Sequence, residues 1–461
     1  MRITDKEYEI ALDSLRYALD AGATAAKVCL NKSVMSTYSV LDKEFDKLVH
    51  SADRSLYFHI FADGRYGNFS TNRFDPEELK SFLKSSVETV RMLAPDEARG
   101  LPDPELYYKG KTSGDEMGTD DPGFDTVSPE EKRSMAIECA EAIKEDTVSS
   151  EIEFSDQEDG TLIADTQGFT GFNYETTYAV SSEITVKGKG HSRASGYYWD
   201  ASPMLGSLRY KDCAAKALER AKSRLDPRKI KSGKYNLVVE NTVSSKLFAP
   251  IIMALHGMAI QQHNSFLTGT LGKQVFPEWL SITDRPHVKG APGSRLFDSE
   301  GVATKDCDII HNGTVGMYFI NSYASRKLGM PQTVESPSRP SVSAFDRTVS
   351  QQNRQCTDNG ENTLPPDTEQ CLSRLLKRLG SGILVTGFNG GNSNPVTGAF
   401  SFGIEGFRFE NGEILYPVSE MLITGDILSL WAKSLFAGND PLRGTRWRTP
   451  TLAFGDVDFN G

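Results

Sequence analysis

Two rhythms of apolar and polar positions run along this chain. Steps of three and four predict helices over 5–20, 76–93, 129–144 and 211–225. Ser128 opens the third as an N-cap, with Glu131 as its capping-box partner. Alternating or β-branched runs predict strands at 25–30, 56–62, 149–154, 161–166, 176–187, 192–199 and 235–239. Asp63-Gly64, Asn312-Gly313 and Asn411-Gly412 each separate two such runs. They predict two-residue hairpins, because Asp, Asn and Gly accept the positive φ angles these turns need. The group Asp156, Glu158, Asp159 and Gly160 misses calcium-loop spacing and reads as a solvated Asp-Gly turn.

Two stretches lack either rhythm. Residues 98–125 are polar, acidic and punctuated by Pro and Gly, which predicts a long surface loop. Residues 331–370 are rich in Ser, Pro, Gln, Asn and Thr and hold few aliphatics, which predicts a mobile loop or partner-contacting arm. With a boundary near Pro227, the chain divides into residues 1–227 and 228–461. The expected class is α+β: a mixed helix and antiparallel-sheet amino-terminal domain, then a strand-rich carboxyl-terminal domain around one long helix.

That long helix is the most informative segment. Val243, Leu247, Phe248, Ile251, Ile252, Leu255, Met258 and Ala259 recur at helical spacing, and His256 falls on the side of Ile252 and Ala259. His263 shares that face, but seven residues of regular helix separate it from His256 by about 10 Å, too far for one metal ion.

Composition narrows the function. The 461 residues carry 51 basic and 62 acidic side chains, a net charge of −11, which disfavours a general duplex-DNA binder. Charges interrupt the amino terminus where a signal peptide needs its apolar run, and no uninterrupted apolar stretch is long enough to span a membrane. The expectation is a cytoplasmic protein with reduced thiols, since its six cysteines show no close pairing.

Chemical motifs are few. The glycine-rich GFNGGNSN at 387–394 lacks the Lys-Ser/Thr of a phosphate loop and leads into a strand, and LGSG at 379–382 reads as a helix C-cap. No Gly-x-Ser-x-Gly elbow or Cys-His pairing suggests a nucleophile. Asn392, Ser393 and Asn394, with Glu420 further on, are polar enough to contact an extended peptide or a partner, and His263 joins them as a candidate. Asn, Gly and Pro also build tight turns, so both roles stand open.

Several ordered blocks then take on meaning together: ALHGMAIQQH at 254–263, SFLTGTLGKQV at 265–275, FDSEGVATKD at 297–306, SYASRKLG at 322–329, and GGNSNPVTGAFSFGIEGFRFENGEILYPVSE at 390–420. They resemble the TldD/TldE (PmbA) family, described as modulators of DNA gyrase and as two-subunit metallopeptidases. In that family the active TldD-type subunit carries His-Glu-x-x-x-His. Here the first histidine is His256, the glutamate position is Gly257, and the second histidine position is Gln261. The resemblance therefore implies a TldE-type, non-catalytic subunit with no metal of its own. Zinc would sit in a TldD-type partner, peptides would be the substrates, and self-association would be an option without the partner. Gly257 offers no carboxylate for a general base, and Gln261 is a poor zinc ligand. An autonomous metal-dependent hydrolase and a regulatory binding protein are the alternatives.

Overall fold

The structure, a computed structural model, describes residues 2–348 and 368–461. The amino-terminal half is one antiparallel sheet of six strands: β1 (Ala25–Leu41), β2 (Glu44–Ala62), β3 (Arg65–Thr71), β4 (Ser149–Asp165), β5 (Thr170–Lys187) and β6 (Arg193–Ser202), in the order β3-β2-β1-β4-β5-β6. Four helices cover one face: α1 (Asp5–Asp20), α2 (Pro76–Val90), α3 (Pro129–Glu141) and α4 (Cys213–Ser223). Even-numbered β1 residues supply that face. Val28 and Leu30 meet Ala11, Leu15, Leu79 and Leu83, while Tyr38 and Val40 meet Ala136 and Ala140. The expected caps form, with Ser128 accepting from the Glu131 amide and Glu131 bonding back to the Ser128 amide.

Two expectations for this half need correction and a third needs refinement. The strands are longer than the apolar runs, and β1 and β2 form one hairpin turning at Asp42 and Lys43, both at positive φ (49° and 70°). No turn forms at 156–160, because β4 passes straight through it, with Ser33 opposite Asp159 and Lys32 opposite Gly160. Asp156 points inward at 1% exposure and is ion-paired with Lys132, a partner that sequence order hides. Residues 98–125 are irregular, as expected of a loop, but they strap across the protein with part of their length buried. They hold two 3-10 turns, Pro104–Leu106 and Phe124–Thr126, and bury Leu101, Tyr107, Met117 and Phe124.

The carboxyl-terminal half is strand-rich. β7 (Gly233–Val239) pairs in parallel with β13 (Ser381–Ser393), which continues antiparallel through β14 (Ala399–Glu410) and β15 (Glu413–Asp426) to β17 (Leu452–Asn460). β17 also pairs with β7, which closes a barrel. β16 (Ser434–Ala437) and β12 (Phe345–Asp346) extend it. Leu237, Val239, Ile383, Val385 and Phe402 share a core with Leu247, Phe248, Ile251 and Ile252 of α5 (Ser245–Ala254). On another side, Leu375 and Leu376 of α8 (Thr368–Leu379) cover Val238, Leu384 and Phe409. A small sheet of β8 (Ile282–Asp284), β9 (Cys307–His311), β10 (Thr314–Val315) and β11 (Pro340–Val342) completes this half. The hairpins at Asn312-Gly313 and Asn411-Gly412 form with the expected positive φ. Gly380 caps α8 in the left-handed conformation (φ 74°).

The expected arm over 331–370 contracts. Val334, Ser338, Arg339 and Val342 are buried, and the Asp284 carboxylate accepts the Ser338 and Arg339 amides. Residues 368–370 begin α8, and 349–367 lie outside the described residues.

Candidate functional site

The helix expected through His256 is broken there. α5 ends at Ala254, and His256 takes an extended conformation (φ −68°, ψ 132°) as N-cap of the short α6 (Gly257–Gln261). The cause is a second segment lying across the break. The Phe319 amide donates to the Leu255 carbonyl (2.9 Å), and the Gly257 amide donates to the Phe319 carbonyl (2.7 Å). Those are backbone groups that would otherwise help carry the helix onward, so the periodic apolar residues on both sides belong to two helices.

Gly257 is sealed in this crossing. A Cβ there would lie 2.8 Å from the Phe319 carbonyl oxygen, 2.9 Å from Ala324 Cβ and 3.1 Å from Ile320 Cδ1. No side chain fits without moving backbone, least of all a carboxylate. The half-buried His256 ring packs on Phe319 with centroids 5.6 Å apart. Burial holds its pKa below the usual imidazole range, opposed by a hydrogen bond to the Glu335 backbone and by the Glu335 charge. Gln261, half-buried, ends α6, and the exposed His263 follows it at φ 54°. His256 and His263 thus flank a short helix instead of sharing one face of a long one. Among the described residues, no group of three His, Cys, Asp or Glu side chains is placed to hold a metal ion.

The other sequence candidates separate. Asn392 and Ser393 end β13, opposite Ser401 and Phe400. Asn394 builds the next turn: its Oδ1 accepts from the Val396 amide (2.9 Å) and the Thr397 amide (3.3 Å). The segment after His263 reaches this turn through the Phe266 amide, which donates to Pro395 O (2.9 Å). Glu420 lies elsewhere. It is exposed beside Ile404 of β14, at a bulge (φ 56°), and ion-paired with Lys229 at 2.9 Å. Five strand positions, about 17 Å, separate that point from Ala399 at the start of β14.

Sequence reasoning missed the polar pocket between the two halves. It holds about 140 Å³ and is lined by Lys27, His59, Tyr66, Arg99, Glu300 and Glu335, among others. Odd-numbered sheet positions supply its floor, with Lys27 directly opposite His59. His59 Nδ1 lies 2.7 Å from Tyr66 Oη. Burial, then Lys27 and Arg99, lowers its pKa to about 4. The Arg99 guanidinium stacks on Tyr323 at 3.7 Å and Tyr66 at 4.7 Å. Glu300 accepts from the Ser322 amide (2.9 Å), the Ser322 hydroxyl (2.5 Å) and Gln332 Nε2 (3.0 Å). Beneath it, Asp298 accepts the amides of Glu300, Val302 and Glu335. Burial, then the charge of Glu335, still pushes its pKa up to about 7. Glu335 therefore connects the pocket to His256. The sequence signal was FDSEG at 297–301, whose acids stood next to each other but whose partners at 27, 59 and 99 did not.

A larger, open cleft of about 570 Å³ runs past the start of α5. Trp199 from β6 is part of its lining, as are Lys246, Leu442, Arg446 and Trp447. Lys246 lies over the Phe402 ring at 4.8 Å, and Trp447 packs edge-on against Phe248. Neither cavity is lined by His263, Asn392, Ser393, Asn394 or Glu420.

Known proteins place this architecture. Residues 122–225 match the model of the PmbA/TldA metallopeptidase central domain, and residues 232–461 match that of the C-terminal domain. The chain belongs to the PmbA/TldD family. Metalloprotease PmbA of Escherichia coli O157:H7 is 27% identical over 90% of this chain and 87% of its own. A PmbA homologue of Haemophilus influenzae is 26% identical over 97% of this chain and 94% of its own. A Bacteroides thetaiotaomicron crystal structure, described as a candidate modulator of DNA gyrase, is 38% identical with a TM-score of 0.90 and full coverage of both chains. The fold is also that of TldE from Thermococcus kodakarensis, with a TM-score of 0.78 at 18% identity over 98% of this chain and all of that one.

Proposed function

We propose that this chain is the non-catalytic, TldE-type subunit of a TldD/TldE metallopeptidase that processes or degrades peptides in the cytoplasm. A TldD-type partner supplies zinc and the general base. This chain contributes walls to the substrate cavity and stabilises the assembly. The observation that carries the reading is Gly257: the position matching the family's catalytic glutamate has no room for a β-carbon. A general base must reach the water it activates, and a glycine amide already bonded to a carbonyl cannot do so. The cleft between Trp199 and Trp447 has aromatic faces and the cations Lys246 and Arg446, which suit an extended peptide or a partner segment. The word gyrase belongs to the Bacteroides protein's description. Any such link here would run through protein contact, because a net charge of −11 works against direct DNA binding.

The test compares cleavage of an unfolded protein substrate by this chain alone, by a TldD-type subunit alone, and by the two together. The expected result is no cleavage by this chain alone, and chelator-sensitive cleavage by the pair. Chelator-sensitive cleavage by this chain alone that disappears in His256→Ala would overturn the assignment.

A further inference from the structure

The β1–β2 hairpin leaves an unpaired sheet edge. β3 covers β2 only from Leu56 to Ala62, and among the described residues no strand pairs with the outer side of Asp46–Arg54. All nine of these residues are exposed, with Leu48 at 49% and Val49 at 45%. At about 3.4 Å per residue this edge is roughly 30 Å long, and its unpaired amides and carbonyls form a template for another strand.

The sequence of the edge, DKLVHSADR, identifies the strand it fits. Directly opposed residues of antiparallel strands share a face, so two copies related by a two-fold axis through the sheet must pair about a residue, odd with odd and even with even. About His50, Asp46 meets Arg54 and Lys47 meets Asp53, each twice by symmetry, while Leu48 meets Ala52 and Val49 meets Ser51. His50 meets its own copy, and no two like-charged Asp, Lys or Arg residues oppose. A register about Val49 sets Asp46 against Ala52 and Lys47 against Ser51, and one about Ser51 sets Leu48 against Arg54 and Val49 against Asp53. Pairing about His50 matches all four charges of Asp46–Arg54, whereas pairing about Val49 matches only Arg54, through Glu44. Arg54 bonds Glu7 at 3.3 Å and lies over the Phe74 ring at 4.4 Å, with about half of its side chain still exposed at the edge.

We infer that a second copy of this chain docks here, joining two six-stranded sheets into one continuous antiparallel sheet through Asp46–Arg54. The interface is small, so the dimer is weak and concentration-dependent. It involves the amino-terminal sheet alone and stands or falls separately from the peptidase reading.

Sedimentation velocity of the full chain over a concentration series tests it, with Lys47→Asp, Asp53→Lys and the double variant alongside. Each single change places like charges opposite each other at two symmetric sites and should raise the dissociation constant about tenfold or more. The double change restores opposite charges and should return it close to wild type. Because all three variants alter exposed side chains, restoration in the double variant separates lost pairing from lost folding. A wild-type chain that stays monomeric at its highest soluble concentration would overturn the inference. So would a dimer indifferent to the single changes, or single losses that the double variant does not reverse.

Discussion

The crossing at Gly257 and the pocket at Arg99 lie on one connected path, through His256, Glu335 and Asp298, yet differ in kind. At the crossing, where the family's chemistry would be expected, backbone fills the space and the one imidazole is turned to packing against Phe319. In the pocket, between sheet and barrel, charged and titratable groups surround an open volume of about 140 Å³; burial lowers the pKa of His59 and raises that of Tyr66, and that of Asp298 beneath them is raised as well. The position where the motif would be expected is therefore filled by packing and is not an open site. The clustered charged and titratable groups instead line the seam between the halves.

The strongest way to break that contrast is to rebuild the motif. Gly257→Glu with Gln261→His should lower stability by about 3 kcal/mol or more, since a side chain is forced against backbone and a carboxylate is buried. It should bind no zinc. Gln261→His alone should be close to neutral. Urea denaturation and metal content read both effects, and a stable, zinc-loaded double variant would show that the crossing is not sealed.

The next largest effect is on pH dependence. Asp298 has its folded pKa raised to about 7, so its contribution to stability is full below the ordinary carboxylate range and is lost as pH rises through about 7. His59 has the opposite sign: its folded pKa is lowered to about 4, so its contribution is present above the ordinary imidazole value and is lost as pH falls through about 4. Asp298→Asn should remove the first trend, up to a few kcal/mol between roughly pH 4 and 7, and leave the second. Unfolding free energies measured across that range check it. An unchanged slope in the variant would mean that Asp298 does not titrate there.

His256→Ala should have a small effect. It removes one ring contact and one backbone hydrogen bond, at a cost of about 1 kcal/mol, and should leave cleavage by the reconstituted pair within severalfold. A loss on the scale of removing a zinc ligand would make His256 part of the working site.

The sequence was most readable where local chemistry decides the structure. Capped helices such as α3, and hairpins with Asp-Gly or Asn-Gly, carry their own instructions. It was misleading where a distant partner decides. The Asp42-Lys43 turn lacks a glycine and went unseen, while Asp159-Gly160 has one and is no turn, because β4 pairs with β1 straight through it and the buried Asp156 is ion-paired with the distant Lys132. At His256 the helical rhythm persists across a break imposed by Phe319, so periodicity alone reported one helix. The blocks that carry the family resemblance were visible as ordered segments. Their assembly with Lys27, His59 and Arg99 was not, because those residues come from β1, β2 and the loop after α2.

Zinc content of the purified full chain, taken after incubation with zinc and removal of loosely held ion, bears most directly on the central claim that this polypeptide does not assemble a hydrolytic metal centre. The account predicts clearly substoichiometric zinc, unchanged in His256→Ala. One tightly held zinc per chain, lost in that variant, would contradict it.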